Sequence, residues 1–186
     1  MNTPQLTPSK GRILLSEPFL NDSFFKRSVI LLAESSDKGS MGFILNKPVG
    51  YEIHELITDF PEFNSQVYYG GPVENNSLFF VHTVPELIGS AFEIGGGIYY
   101  GGDFEKLKNL AGVGVVKPEH FRFFAGYSGW DAGQLDFEMA ESSWLVFERP
   151  TKLMDMKPES LWGDLLKKSN NRLAIWSNYP EDPNLN

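Results

Sequence analysis

The chain is cut into short apolar runs, each ended within a few residues by glycine, proline or a polar turn. "GRILL" (11–15), "SVILLAE" (28–34), "MGFILN" (41–46), "QVYY" (66–69), "SLFFVHT" (77–83), "AFEI" (91–94), "IYY" (98–100), "FRFFAGY" (121–127) and "SWLVFE" (143–148) are rich in β-branched, aromatic and large aliphatic residues. Runs of that length and make-up predict strands. "SSDKGS" (35–40) is turn chemistry, so 28–46 reads as a hairpin whose second strand stops before Pro48. Helical spacing is rarer. Ile53, Leu56, Ile57 and Phe60 share one face across 51–60, Asp103 caps a short helix carrying Phe104, Leu107 and Ala111, and Pro158 opens a last helix. Leu161, Trp162, Leu165 and Leu166 form the apolar stripe of that helix, with Asp164 and Lys168 placed as an i,i+4 pair. Strands and helices do not alternate as βαβα, which predicts an α+β fold with helices packed on a mainly antiparallel sheet.

At 186 residues the simplest organisation is one domain over 1–186, with irregular tails at 1–10 and 180–186. A 41% hydrophobic content with 15 phenylalanines provides a core large enough to offset chain entropy. The net charge of −8 opposes polyanion partners, which need clustered Lys and Arg to displace counterions. Lys26-Arg27 and Lys167-Lys168 are the densest basic groups, and no helix-turn-helix, zinc finger or RNA-binding sheet signature is legible, so direct nucleic-acid binding is disfavoured. With no cysteine, disulfides, thiolate nucleophiles and Cys-ligated metals are excluded. "MNTPQLTPSKGR" has no apolar signal core, and no stretch reaches the roughly 20 apolar residues of a membrane span, so a cytoplasmic protein is expected.

The densest motif is "GYSGWDAGQLDFEMAESSW" (126–144). It resembles a nucleophile elbow at Ser128, but the elbow G-x-S-x-G requires glycine where Trp130 stands, and His54, His82 and His120 all precede the serine. A structural reading fits better. Gly126, Gly129 and Gly133 let the chain turn, Asp131 serves as N-cap with Gln134 reaching back to it, and Trp130 and Trp144 anchor the two ends. Leu135 and Met139 face the core, while Asp136, Glu138 and Glu141 form a solvated helix face.

Other motifs fail on spacing. "HELIT" (54–58) has Thr58 where a zincin needs its second histidine. "GGGIYYGG" (95–102) and "GVGVV" (112–116) lack the G-x-G-x-x-G and G-K-[ST] patterns of phosphate loops, so turns and bulges account for them. No metal site and no cofactor follow from these patterns.

Taken in order, "GRILLSEPFLNDSFFKRSVILLAE", "GSMGFILNKPVG", "YYGGPV" (68–73), "FFVH" (79–82), "GYSGWDAGQLDFEM" and "PEDPNLN" resemble the YqgE/AlgH family of bacterial proteins across nearly the whole chain. Departures are Ser35 where many members have histidine, Asp136 where glutamate is usual, and Ser128 where alanine is typical. A family nucleophile could not be lost that way, so Ser128 is not one. The resemblance implies a bifurcated, mostly antiparallel sheet wrapped into a pseudo-barrel with flanking helices, in a bacterial cytoplasmic protein. Members are often labelled transcriptional regulators, and no catalytic residues carry over.

The expected function is therefore a non-enzymatic binding or regulatory module with a protein or small-molecule partner. A regulator contacting DNA directly and a hydrolase or transferase of unfamiliar design are the alternatives. Candidate binding residues are those where polar motif positions interrupt apolar strands: Asp22 and Arg27 bracketing a Phe-rich turn, Asn46 and Lys47 before Pro48, and His82 within a strand. Turn hydrogen bonds and an internal ion pair are the structural roles that compete for them.

Overall fold

A computed structural model describes residues 6–169 and 172–178. In chain order it contains β1 (Ile13–Ser16), β2 (Val29–Ser36), β3 (Gly39–Ile44), β4 (Pro48–Glu52), α1 (Ile53–Leu56), β5 (Gln66–Tyr69) and β6 (Val73–His82). There follow α2 (Pro85–Ile88), β7 (Phe92–Gly95), β8 (Ile98–Tyr100), α3 (Phe104–Gly112), β9 (Phe121–Asp131), α4 (Gln134–Ala140), β10 (Trp144–Phe147) and α5 (Pro158–Lys168). Single 3-10 segments occupy Pro118–His120, Leu153–Asp155 and Arg172–Asn178.

The strands join in the order β10-β1-β2-β3-β9-β6-β8-β7, with β5 on β9 and β4 on β5. Every pairing is antiparallel except β5 with β9, so the fold is α+β with a mostly antiparallel sheet. The ladder does not close. Its far end is drawn back to β1 and β2 by side chains: Lys10 Nζ donates to the Glu93 carbonyl at 3.0 Å, Tyr100 hydroxyl donates to the Glu34 carboxylate, and Ile94 joins a core with Ile13 and Leu31.

Residues 13–15, 29–33 and 43–45 read as unbroken apolar runs because both faces of the sheet are covered there. Leu15, Leu31 and Phe43 meet Leu161, Trp162, Leu165 and Leu166 of α5, whereas Leu14, Ile30 and Ile44 meet Leu135 of α4 with Trp130 and Trp144. A third core gathers Val67, Phe80, Phe121 and Phe123 with Ile53, Phe60, Phe63 and Leu107.

Several sequence expectations are corrected. Helix 51–60 is one turn only, because 48–52 pairs with β5 and the Ile53 amide donates to Ser65 at 3.0 Å. Asp164 and Lys168 form no ion pair among the described residues. The strand expected to end at Tyr127 runs on to Asp131, so Gly126 and Gly129 lie inside β9 rather than in a bend before the helix. The helix N-cap is Gly133 in the left-handed region (φ 77°), not Asp131. Gln134 Oε1 does accept the Asp131 amide at 3.0 Å, closing the Ala132–Gly133 turn from the helix side.

β9 holds the sheet together by changing partner along one edge. Phe123 to Ala125 pair with β5, Ser128 to Asp131 pair with β3, and β6 runs along the opposite edge. At the change-over Gly126 has φ 70°, and a side chain there would meet the Val73 carbonyl at 2.6 Å and the Gly71 carbonyl at 2.7 Å. Gly71, at φ 153°, lies directly against the Tyr127 and Ser128 backbone. The Gly70 carbonyl accepts both the Ile44 amide and the Ser128 hydroxyl at 3.0 Å, tying β3, β5 and β9 together.

Gly71→Ala is therefore expected to lower stability by about 3 kcal/mol, through backbone overlap at the fork. Gly50→Ala, also at positive φ (85°) but with nothing within 4 Å of the added carbon, is expected to cost only about 1 kcal/mol. Urea midpoints of the two variants, measured side by side, check the difference.

Candidate functional site

The loop before β2 is shaped by Asp22. Its Oδ1 accepts the amides of Phe24 (2.7 Å) and Phe25 (2.9 Å), and its carbonyl accepts that of Lys26 (2.9 Å). This Asx turn leads to Arg27 at φ 49°. Asn46, just past β3, then grips the chain on both sides of Ser28: Oδ1 accepts the Val29 amide at 2.9 Å and Nδ2 donates to the Arg27 carbonyl at 2.8 Å. Lys47 Nζ donates to the Phe24 carbonyl at 2.7 Å.

α5 faces this corner. The Trp162 indole donates to the Ser16 carbonyl at 3.0 Å, and its ring carries the Arg27 guanidinium with 4.9 Å between carbon and centroid. A cleft of about 680 Å³ opens between the two, lined by Arg27, Asn46 and Lys47 on one side and Trp162 and Ser160 of α5 on the other. Lys26 and Lys167 add two more cations, against the carboxylates of Glu159 and Asp164. Four cations to two carboxylates is the opposite balance to the chain as a whole, with its net −8.

Of the five candidate binding residues, Arg27, Asn46 and Lys47 meet in this cleft, Asp22 shapes the turn behind it, and His82 lies elsewhere. His82 is fully buried in β6 beside the rings of Phe80, Tyr99 and Phe121. Its Nε2 lies 3.1 Å from the Gly101 carbonyl and its Nδ1 accepts the Val84 amide at 3.3 Å. That pairing suits the neutral ring, and burial pushes its pKa down. Sequence reasoning missed Lys26, Glu159, Trp162 and Lys167 as cleft residues. Lys26 lay beside the candidate Arg27, but no local pattern could have found the other three, because α5 joins the corner from more than 100 residues away in the chain.

The 126–144 motif forms a separate arrangement. Ser128 is fully buried and its hydroxyl donates to the Gly70 carbonyl. Glu138 is not part of a solvated helix face. Its Oε2 accepts the indole N–H of Trp130 (2.9 Å) and of Trp144 (2.7 Å), while Oε1 accepts Gln134 Nε2 (2.9 Å). Phe25 packs between the indoles at 6.0 and 5.5 Å. Among the described residues no group of three or more His, Asp or Glu side chains is placed to hold a metal ion, and no helix is long and apolar enough to cross a membrane.

An open, forked, mostly antiparallel sheet with α5 laid over one face defines the class of protein. The AlgH-like family model DUF179 matches residues 13–174, and the chain belongs to that family. A UPF0301 protein of Cytophaga hutchinsonii is 41% identical over 180 residues, covering 96% of this chain and 99% of the relative. One from Bacteroides thetaiotaomicron is 39% identical over 96% of this chain and 92% of its own. Among solved structures, AlgH of Pseudomonas aeruginosa superposes with a TM-score of 0.72 at 26% identity, covering 97% of this chain and all (100%) of the other. A crystal structure of a Corynebacterium diphtheriae protein gives 0.75 at 21% identity over 95% of each chain, a likeness of fold alone.

Glu138→Ala strands two enclosed indole N–H groups and is expected to cost about 3 kcal/mol in urea unfolding followed by tryptophan fluorescence. Glu138→Gln, whose amide oxygen still accepts, should lose less. For His82 the folded pKa lies below the ordinary value of 6.5, so the unfolded chain binds the extra proton first on acidification. Its contribution is full above about pH 6.5 and is lost as pH falls through that value toward the folded pKa. Stability measured at pH 7.5 and 5.5 should therefore drop less in His82→Asn than in the parent protein.

Proposed function

We propose that the protein is a non-enzymatic binding module of the bacterial cytoplasm that takes a small molecule in the cleft between α5 and the 24–28 and 46–48 corners. The observation that carries this reading is the meeting of Arg27, Asn46 and Lys47 with the Trp162 wall of α5. A volume of about 680 Å³ lies within the roughly 300–1,000 Å³ of small-molecule sites. The backbone of the corner is already held by Asp22 and Asn46, so a ligand meets a formed surface and does not have to order it. The excess of cations favours an anionic ligand with an apolar or aromatic body. Ligand occupancy would bridge α5 to the strand ends, a way of reporting metabolite level to a protein partner. A buried Ser128 on the Gly70 carbonyl and a neutral, fully bonded His82 offer no nucleophile–base pair, which supports binding over hydrolysis.

Thermal-shift screening of acidic metabolites tests the site. Compounds that stabilise the parent protein are expected to bind Lys167→Glu about tenfold more weakly, a loss of one charge-assisted contact, with the ligand-free melting temperature unchanged. Binders unaffected by that substitution, or a salt-sensitive and sequence-selective gel shift with DNA, would defeat the proposal.

A further inference from the structure

A second hollow, of about 310 Å³, lies on the opposite margin of the sheet, where the start of β1, the turn joining β7 to β8 and the chain leaving β10 come together. Three cations line it, Lys10, Arg12 and Arg149, against the single carboxylate of Glu148. Arg12 is held in place: Nε and Nη2 donate to Glu148 Oε1 at 3.1 and 2.9 Å, and Nη1 donates to the Thr7 carbonyl at 2.7 Å. Lys10 spends one of its three donors on the Glu93 carbonyl.

Arg149 is different. Its guanidinium lies against Gly96, Nη2 nearest, so close that a β-carbon there would overlap Nη2. Its Nε is shut off from solvent and has no hydrogen-bond partner, and no carboxylate pairs with it among the described residues. With no carboxylate beside it among those residues, the guanidinium charge is uncompensated, and an oxyanion accepting from its Nη groups would offset it. Gly95 and Gly96 line the hollow without side chains: the space over Gly96 is taken by the Arg149 guanidinium, and the space over Gly95 is open, with nothing within 4 Å of an added β-carbon. Two glycines of the "GGG" that fails as a nucleotide-binding fingerprint by spacing, Gly95 and Gly96, thus line a basic hollow in an acidic protein.

We propose that Lys10, Arg12 and Arg149, with the 95–97 turn, form an oxyanion site that takes the phosphate group of a small molecule. Three cations around one hollow suit a phosphoryl dianion better than a carboxylate, because it carries up to two charges and three oxygens, where a carboxylate carries one charge and two. The hollow has room for one phosphoryl group with a small body attached. It is separate in residues and position from the α5 cleft, and stands or falls independently of it.

Calorimetric titration of the full chain with inorganic phosphate, phenyl phosphate and acetate at constant ionic strength tests the proposal. Both phosphates are expected to bind and acetate not to. Arg149→Gln should weaken phosphate about tenfold or more, the loss of a charge-assisted pair of hydrogen bonds. Gly96→Ala keeps every charge but displaces the Arg149 guanidinium, and should weaken phosphate similarly. Lys10→Gln, at an exposed side chain, provides the same readout if either of those variants fails to fold. Lys117→Gln, at an exposed lysine that lines neither hollow, should change nothing. Phenyl phosphate binding tighter than inorganic phosphate, with the difference lost in Arg149→Gln, points to a monoester ligand in this hollow, and equal affinities point to phosphate itself. No phosphate binding at millimolar concentration, acetate binding as tightly, or substituted proteins binding phosphate like the parent would each overturn the proposal.

Discussion

The structure depends on a close approach of backbones. Gly70 and Gly71 lie against Gly126 and Tyr127 where β9 passes from β5 to β3, at a separation that leaves no room for a β-carbon. An antiparallel sheet cannot fork unless one strand gives up a partner and takes another without leaving its amides unpaired. Here Gly126 supplies the left-handed kink, and the Gly70 carbonyl absorbs both the Ile44 amide and the Ser128 hydroxyl. Because β9 is shared, the two arms of the sheet are positioned by one segment of chain, and the cores on either side of it are set relative to each other.

That constraint gives the polar residues of the 126–144 segment their work. A hydroxyl at 128 lies in a fully buried strand and finds an acceptor in the crowded fork. Glu138 satisfies two indoles at once, so Trp130 and Trp144 can be buried without leaving an N–H unbonded, and α4 is fastened to β9 and β10 together. Carboxylate, indoles and Phe25 behave as one packing unit, which explains how a dense cluster of polar and aromatic letters can be structural.

The acidic chain gathers some of its cations into two hollows. The excess of carboxylates keeps the chain soluble and weakens attraction to nucleic acid, while the α5 cleft and the Arg149 hollow present local positive charge at opposite margins of the sheet. A chain of net −8 repels an approaching anion at long range, so the local positive charge of these hollows acts only at close quarters.

Much of the architecture is written locally. The short apolar runs specify strands, Asp103 accepts the Lys106 amide at 2.9 Å as a helix cap, and Pro158 stands at the start of α5. The 51–60 stripe, by contrast, was helical by spacing and one turn by structure, since pairing of 48–52 with β5 outweighs propensity in so short a segment. The bend expected at Gly126 and Gly129 lies inside a strand: Gly126 does kink the backbone, but pairing with β3 and β6 carries β9 on to Asp131 instead of turning it into the helix. The partner of Glu138, the fork at Gly70, and the meeting of Arg27, Asn46 and Lys47 with Trp162 join residues far apart in the chain. The order of letters determined which segments could be strands, which ends could be capped, and that the surface would be acidic, because those depend on neighbours within a few residues. Which strands share a partner, and which side chains face one another across a cleft, only the tertiary structure decided, because non-local pairing is selected by packing of the whole core.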